Sequence, residues 1–292
     1  MDLSLHRLDW FTRRPGPLLV VVADGFGCAP AGPSNAISEA NTPTLDTLLT
    51  GPFMTELAAH GPAVGLPTDD DMGNSEVGHN ALGAGRIFDQ GAKLVNHAIA
   101  SRELFASPVW KTAIDRAQAG TLHFLGLHSD GNVHSHTDHL YAMLRAAAAQ
   151  GVRSCAVHIL LDGRDVDSRS ALVYITATEE VLAEINANYG DSNFRIASGG
   201  GRMNITMDRY GADWDMVRRG YECHTHGVGA KFGSAAEAVE SMYAEGDTGD
   251  QYLNAFVVVG KDNTPLGAMH DGDAVIMFNF RGDRAIEISQ AY

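Results

Sequence analysis

Residues 156–165 have the sequence AVHILLDGRD, in which an apolar run ends in a charged turn. Short apolar runs bounded by turn residues are typical of strands buried inside a parallel sheet. Similar runs recur along the chain, at residues 18–23, 122–127, 194–197, 255–259 and 274–280. Helical patterns lie between them, the clearest at residues 138–150 and the longest at residues 168–189. This alternation predicts an α/β fold in which a mainly parallel sheet is flanked by helices.

Composition narrows the classes of function. The 292 residues suffice to bury a core, as one large domain or two ordinary ones. The formal net charge of -15 argues against nucleic acid as a partner, because such proteins normally carry a basic face. Cys28, Cys155 and Cys223 are far apart and match no CxxC pattern, which favours a reducing compartment. No apolar run has the length of a membrane helix. We therefore expect a cytoplasmic, monomeric protein without a membrane partner.

Charged and polar motifs follow four of the predicted strands. They occupy residues 128–136, 162–165, 199–209 and 281–284. Because the carboxyl ends of parallel strands meet at one edge of the sheet, we expect these four loops to converge on one pocket. We place the substrate in that pocket.

Five arginines lie in these loops, although the chain as a whole is acidic. They are Arg164, Arg202, Arg209, Arg281 and Arg284. The planar guanidinium group binds phosphate or carboxylate through two parallel hydrogen bonds, so the pattern predicts an anionic substrate. Any single arginine could instead pair with a nearby carboxylate of Asp162, Asp165, Asp208 or Asp283. That alternative explains five arginines together poorly.

Ser75 lies where the segment DMGNSEVGH, residues 71–79, turns from a loop into a predicted helix. A helix N-terminus offers free N–H groups and the positive end of the dipole, and both favour a bound phosphate. The segment therefore predicts a nucleophile for phosphoryl transfer at Ser75, with simple capping of the helix as the alternative. Asp24 follows the run at residues 18–23 and suits a divalent metal ion, unless it only forms an Asp-Gly turn.

Six motifs, in this order, resemble those of the cofactor-independent phosphoglycerate mutases, which belong to the alkaline phosphatase superfamily. They are VVADGFG at 21–27, MGNSEVGH at 72–79, DGNVHSH at 130–136, LDGRD at 161–165, GRMNITMDRY at 201–210 and FNFRGDR at 278–284. The resemblance covers nearly the whole chain from about residue 18. The sequence GGGRM at 199–203 resembles the plant and trypanosomatid branch. Arg202 and Arg209 are seven residues apart, one more than in the common bacterial form, which leaves the position of Arg202 open.

The resemblance implies an alkaline-phosphatase-like domain that is interrupted by an inserted α/β transferase domain. Residues 1–16 then form a leader, and residues 17–87 form the first segment of the phosphatase domain. Residues 88–285 form the transferase domain, and residues 286–292 begin the return linker. The family's remaining metal ligands have no match in this sequence, so we expect the chain to be the front part of a longer enzyme.

The resemblance also implies the activity, the interconversion of 3-phosphoglycerate and 2-phosphoglycerate in glycolysis and gluconeogenesis. The phosphate then passes through a phosphoserine at Ser75, without 2,3-bisphosphoglycerate. Two divalent metal ions are implied, Mn²⁺ foremost and Mg²⁺, Co²⁺ or Zn²⁺ otherwise, with Asp24 and Ser75 among their ligands. Asp165 is then the general acid and base. The implied substrate-binding residues are His136, Arg164, Asp165, Arg202, Arg209, Arg281 and Arg284.

The sequence also permits three other interpretations. One is a related phosphopentomutase or phosphatase, and another is a non-catalytic module that binds phosphoglycerate. The third is a zinc site, because four histidines occur within twelve residues, at His128, His134, His136 and His139. We do not predict zinc there, since the segment matches the family's substrate loop. For the mutase reaction, water must be excluded from the phosphoenzyme, so we expect the two domains to close on each other.

Overall fold

The computed structural model describes residues 8–12, 14–23, 26–27 and 29–292. The chain divides into two compact units, residues 1–57 and residues 58–292. Asp24, the predicted metal ligand, lies outside the described residues. The described part of the first unit contains two short helices, α1 (Ala36–Glu39) and α2 (Pro43–Leu49). Helix α2 begins at Pro43, whose fixed φ suits the first position of a helix.

The apolar run at residues 18–23 forms no strand, so the prediction of a buried strand there is wrong. Its side chains are exposed, and Leu18 and Leu19 keep 90% and 82% of their surface accessible. A strand forms only where neighbouring strands supply partners for its backbone N–H and C=O groups. Every strand in the described part of the chain begins at Leu122 or later, and none of them pairs with this run.

The second unit contains the remaining helices and all the described strands. It begins with a 3-10 turn at Gly61–Val64, and its first helices are α3 (Ser75–Ala84), α4 (Gly91–Ala100), α5 (Glu103–Ala106) and α6 (Pro108–Ala117). The strands are β1 (Leu122–Leu127), β2 (Ser154–Leu161), β3 (Asn193–Gly201), β4 (Ala230–Phe232), β5 (Phe256–Val258) and β6 (Ala274–Met277). The later helices are α7 (Thr137–Ala149), α8 (Ala171–Asn188), α9 (Trp214–His226), α10 (Ala235–Glu245) and α11 (Ile286–Ala291), with a 3-10 turn at Asp250–Tyr252.

The sheet has the strand order β4-β5-β3-β2-β1-β6. All neighbouring pairs are parallel except β3 with β5, which are antiparallel. The prediction of a mainly parallel sheet in an α/β fold is therefore confirmed. In the register, Leu122 of β1 lies opposite Cys155 of β2 and Ala274 of β6.

Both faces of the sheet are covered, so its central strands β1 and β2 are buried along almost their whole length. On one face, Phe124 and Val157 belong to a large core that includes Leu144 of α7 and Ile175 of α8. On the other face, a smaller cluster holds Leu125, Leu127, Leu160, Val217 of α9 and Ile288 of α11. Side chains alternate between the faces, as they do along any strand.

The described helices include none with the length and apolar character that a bilayer crossing requires. The predicted division between residues 87 and 88 stays a prediction, because the compact units describe packing and not the evolutionary insertion.

Candidate active site

Four loops meet at the carboxyl edge of the sheet, as the positions of the motifs predict. Strands β3, β2, β1 and β6 are consecutive neighbours and run parallel, so the loops that follow them leave the same edge. Arg202 Nη1, after β3, donates to Asp162 Oδ1, after β2, at 2.7 Å. The backbone N of Phe280, after β6, donates to the carbonyl of His134, after β1, at 2.8 Å. The loops therefore form one connected surface.

Asp162 connects three of these loops. Its buried carboxylate accepts from Ser129 Oγ at 2.5 Å and from Arg202 Nη1 at 2.7 Å. It also accepts from the backbone N of Arg164 at 3.2 Å and of Asp165 at 3.1 Å. The sequence named Asp162 only as a possible partner of an arginine. Its place in an Asp-Gly turn directly after a buried strand was the available signal for this larger role.

Arg202 lies beneath the surface with only 2% of its area exposed. Its Nη1 also donates to Asp165 Oδ2 at 2.6 Å, which fixes the carboxylate that we predict as the acid and base. Its Nε is buried and has no hydrogen-bond partner among the described residues. Arg202 is therefore buried against two carboxylates, and its position, which the sequence left open, is inward.

His134 lies among four of the five predicted arginines. Burial above all lowers the pKa of His134 to about 2, and nearby guanidinium charges add to the shift. In order of effect, these charges belong to Arg202, Arg281, Arg284 and Arg209. The imidazole is therefore neutral at physiological pH, and its Nδ1 lies 3.7 Å from Asp283 Oδ1.

Asp283 forms ion pairs with two of these arginines, one through each carboxylate oxygen. Arg209 Nη1 lies 3.1 Å from Asp283 Oδ2, and Arg281 Nε lies 3.1 Å from Asp283 Oδ1. Arg202, Arg209 and Arg281 thus form the ion pairs with nearby carboxylates that the sequence offered as an alternative. Each guanidinium has five N–H groups, so one such contact leaves donors for a ligand.

Arg284 and Arg164 differ from the other three. Arg284 Nη1 donates to the carbonyl of Met207 at 2.7 Å. Burial lowers the pKa of Arg284, and the charges of Arg209 and Arg202 lower it further. Arg164 is exposed and forms no ion pair within the described ranges of the chain. Neither cation forms an ion pair with a carboxylate in the described part of the chain, although the charge of Asp283 raises the pKa of Arg284.

Ser75 is the first residue of α3, but it does not cap this helix. The cap is Asn74, whose Oδ1 accepts from the backbone N of Val77 at 3.1 Å. The Ser75 hydroxyl is exposed, with its Oγ 3.3 Å from His79 Nδ1. Gly73 permits the tight approach before the helix, because a Cβ there would lie 1.9 Å from the carbonyl oxygen of Ala59.

The segment around Ser75 touches the arginine loops directly. Arg281 Nε lies 2.9 Å from Glu76 Oε2, and Asn132 donates a hydrogen bond to the Asp71 carboxylate. A cleft between the two is lined by side chains that include Asn74, Glu76, Asn132 and Arg281. The sequence did not identify Glu76, because a glutamate in the first turn of a helix is common for reasons of the helix dipole.

His136 caps α7, since its Nδ1 accepts from the backbone N of Asp138 at 3.1 Å. The other histidines of the segment have separate partners. His128 Nε2 lies 2.7 Å from Thr178 Oγ1, and His139 Nε2 lies 2.6 Å from Asn96 Oδ1. Among the described residues, no three side chains of His, Cys, Asp or Glu gather as a metal ion requires. The described surroundings of Ser75 do not fit a metal ion on their own.

Residues 95–292 match the family model of the BPG-independent PGAM N-terminus, and this match covers more than half of the chain. The chain belongs to the BPG-independent PGAM N-terminus family. The resemblance that the six motifs predicted is confirmed, and the large sheet with its arginine loops is therefore the fold of this family.

Relatives and a solved structure agree with this assignment. A probable 2,3-bisphosphoglycerate-independent phosphoglycerate mutase of Leptospira interrogans is 50% identical over 97% of this chain and 52% of its own length. The mutase of Trypanosoma brucei brucei is 48% identical over 100% of this chain and 53% of its own length. The crystal structure of Leishmania mexicana phosphoglycerate mutase at low cobalt concentration superposes with a TM-score of 0.84 and 44% identity. The match covers 89% of this chain and 48% of that one. The chain spans about half the length of the curated relatives it matches.

Proposed function

We propose that the enzyme to which this chain contributes interconverts 3-phosphoglycerate and 2-phosphoglycerate, as a phosphoglycerate mutase and isomerase of glycolysis and gluconeogenesis. The names of the relatives support this proposal, and they do not favour a purely binding module. One observation carries it for the chain itself. The 2.9 Å contact between Arg281 and Glu76 brings the residue after Ser75 against the arginine loops. This contact supports the proposal, because it makes the predicted nucleophile segment and the predicted anion site neighbours.

The substrate has two anionic groups, and the loops offer cations for both. We assign its phosphate and carboxylate to the predicted set His136, Arg164, Arg202, Arg209, Arg281 and Arg284, because guanidinium groups bind both kinds of anion. In neutral His136 the proton lies on Nε2, since Nδ1 accepts from Asp138 N. Nε2 is therefore a donor for a substrate oxygen.

The reaction requires two phosphoryl transfers and one shuttled proton. In the first, the alkoxide form of Ser75 Oγ bonds to phosphorus as the bond from phosphorus to O3 of the substrate breaks, and Asp165 in its acid form gives its proton to O3. The glycerate then reorients within the site. In the second transfer, O2 bonds to phosphorus as the bond from Ser75 Oγ breaks and restores the alkoxide, and the Asp165 carboxylate takes the proton of O2. The Arg202 contact at 2.6 Å supports this role, because it holds the Asp165 side chain in one place.

The remaining features of the enzyme belong to the same proposal. We expect two divalent metal ions, preferably Mn²⁺, with Asp24 and Ser75 among the ligands. The Leishmania mexicana structure at low cobalt concentration supports metal dependence. We also propose the division at residues 87 and 88, closure between the two domains, a cytoplasmic location and a monomeric state.

Phosphorus NMR of 3-phosphoglycerate, with the complete enzyme and manganese, tests the proposal. We expect a signal of 2-phosphoglycerate with the wild type and none with Ser75→Ala. Ser101→Ala is the matched control, because Ser101 is also an exposed serine but lies at the end of α4. Product from Ser75→Ala would contradict the serine mechanism. Binding of 3-phosphoglycerate with no conversion by the wild-type enzyme would favour the binding module instead.

A further inference from the structure

Six hydrogen-bonded side chains cross one face of the sheet and end in the loop that carries Arg202 and Arg209. In order they are Asp273, His123, His158, Ser198, His224 and Thr206, hereafter the histidine row. Successive contacts measure 3.2, 2.9, 2.7, 2.8 and 3.0 Å. All but Asp273 are buried. The row begins at the amino end of β6 and finishes at the opposite, arginine-bearing edge.

The carboxylate of Asp273, the first member of the row, determines which atoms in the row carry protons. Burial raises the pKa of Asp273, but hydrogen bonds from the backbone N–H groups of Thr121 and His270 bring it below its ordinary value. The carboxylate can only accept, so His123 Nε2 must donate. Burial also lowers the pKa of His123 and lowers that of His158 well below its ordinary value.

A neutral imidazole has one donor and one acceptor, so each contact determines the next. His123 Nδ1 accepts from His158 Nε2, and His158 Nδ1 accepts from the Ser198 hydroxyl. The Ser198 oxygen then accepts from His224 Nδ1. Because burial lowers the pKa of His224 to about 3, its Nε2 is an acceptor and the hydroxyl of Thr206 must donate to it.

Thr206 has an unusual backbone conformation. Its φ is 70°, in the left-handed region that β-branched residues avoid, and such strain persists only where the surroundings enforce it. Two further contacts enforce it here. The backbone N of Thr206 donates to the carbonyl of Met216 at 3.1 Å. Gly220 of α9 packs so closely that a Cβ there would lie 2.1 Å from Thr206 Oγ1.

We propose that the histidine row is a positioning device for residues 202–209, which acts by holding the Thr206 hydroxyl and hence the backbone that presents Arg202 and Arg209. Its members are positioning residues, since no contact joins them to the predicted ligand groups themselves. The identity of the ligand, phosphoglycerate, rests on the proposed function. The coupling between the row and the loop does not.

A purely structural network would make a different prediction. A fully satisfied buried network stabilises the fold, and Asp273 sets the order of its donors whether or not the row positions the loop. The tautomers therefore test the order of donors itself. A positioning device must in addition transmit a break in the row to residues 202–209, and that response distinguishes the two.

The first test is nitrogen-15 NMR of the histidine side chains in the wild-type chain. We expect the proton on Nε2 of His123 and His158 and on Nδ1 of His224. In Ser198→Ala, which breaks the row two contacts away from Thr206, we expect His224 to lose this preference and the backbone amide signals of residues 202–209 to shift. A proton on His224 Nε2 in the wild type would overturn the proposal. Unchanged amide signals in Ser198→Ala would do so as well.

The second test is binding of 3-phosphoglycerate, measured by calorimetry. We expect Thr206→Val to weaken binding roughly tenfold, as for loss of one buried hydrogen bond that aligns a charged site. Thr206→Ser keeps the hydroxyl and should restore binding. Thr178→Val is the matched control, because Thr178 is also a buried threonine that contacts a buried histidine, His128, but lies outside the row.

The outcomes of the two tests separate the proposals. Wild-type affinity in Thr206→Val would overturn the positioning role. If the wild-type chain binds no phosphoglycerate, the proposed function loses its support, and the NMR measurement alone still decides whether the row positions the loop.

Discussion

Arg281 Nε lies 2.9 Å from Glu76 Oε2, and this contact joins the helix of Ser75 to the loop after β6. Glu76 is half exposed, whereas Arg281 is largely covered. The pair on its own adds little stability, because an exposed partner keeps much of its hydration. The pair instead fixes the relative positions of two segments. Arg281 also contacts Asp283 at 3.1 Å, so it links the predicted nucleophile segment to the predicted anion site.

Loss of Arg281 should therefore affect binding far more than folding. We expect Arg281→Ala to weaken binding of 3-phosphoglycerate by roughly 10-fold to 100-fold, as for loss of a hydrogen bond to a charged group. Calorimetry measures the affinity. Arg218→Ala is the control, because Arg218 has an exposed ion pair with Asp215 at 3.1 Å on α9, outside the predicted ligand set. Equal affinities of Arg281→Ala and the wild type would contradict the assignment of Arg281.

Loss of Arg202 should also affect folding, because the fold depends on this residue. Its guanidinium lies between the carboxylates of Asp162 and Asp165 and is almost fully buried. Arg202→Met keeps much of the volume but leaves these carboxylates without their cation, so we expect the free energy of unfolding to fall by about 3–5 kcal/mol. Urea denaturation measures the change.

Arg145→Met provides the comparison for Arg202→Met. Arg145 pairs with Glu184 at 2.7 Å, but both side chains are about half exposed. For such a pair we expect a loss of less than about 1 kcal/mol. If both variants unfold with the same free energy, the carboxylates do not depend on Arg202.

Much of this arrangement could be predicted because its signals are local. The strand at residues 122–127 is confirmed to the residue, and the runs at 156–161 and 194–197 lie inside β2 and β3. Apolar runs bounded by turns carry that information in a few neighbouring residues. The positions of the arginine loops followed, since parallel strands send their carboxyl ends to one edge.

The features that were missed depend on partners distant in sequence. The run at residues 18–23 has the composition of a strand, but composition cannot supply the neighbouring strand that pairing needs. Strand β4 has only three residues, which are too few to show an alternation of apolar and polar side chains. The histidine row could not be predicted, because His123 meets His158 only through the register of β1 and β2. The cap of α3 was undecided for a local reason, because Asn74 and Ser75 are adjacent and both residue types favour the N-cap position.

Asp165 should matter more for conversion than for binding. Asp165→Asn keeps the shape of the side chain and an oxygen for Arg202, yet it cannot exchange a proton at neutral pH. Loss of general acid and base catalysis should slow the conversion of 3-phosphoglycerate by about 100-fold or more, with the affinity changed less than roughly tenfold. Phosphorus NMR on the complete enzyme follows the rate.

The nearby Asp167→Asn is the control for Asp165→Asn, because Asp167 lies on the same loop with its side chain exposed. We expect this variant to keep the wild-type rate. A normal rate in Asp165→Asn would exclude Asp165 as the proton carrier, whereas an equal loss of affinity and rate would reduce it to a substrate-binding residue.

Acid should destabilise the fold through histidines that are buried without charge. Burial lowers the pKa to about 3 for His128, to about 2 for His134 and to about 3 for His224. In the unfolded chain these groups take up protons near their ordinary value of 6.5, while the folded chain does not. The unfolded state thus binds more protons below that pH, so stability is full above it and falls as the pH drops.

Each of the three contributes up to about 1.4 kcal/mol per pH unit to this slope. Urea denaturation between about pH 7.5 and about pH 5.5 measures the slope, and we expect His128→Gln to reduce it by one histidine's share. Above about pH 7.5 the slopes of variant and wild type should coincide, because the histidines are neutral in both states there. A free energy of unfolding that stays constant or rises on acidification would contradict this prediction. It would mean that these imidazoles gain their protons within the folded protein. Burial away from water opposes such protonation, and at His134 the nearby arginine charges oppose it too.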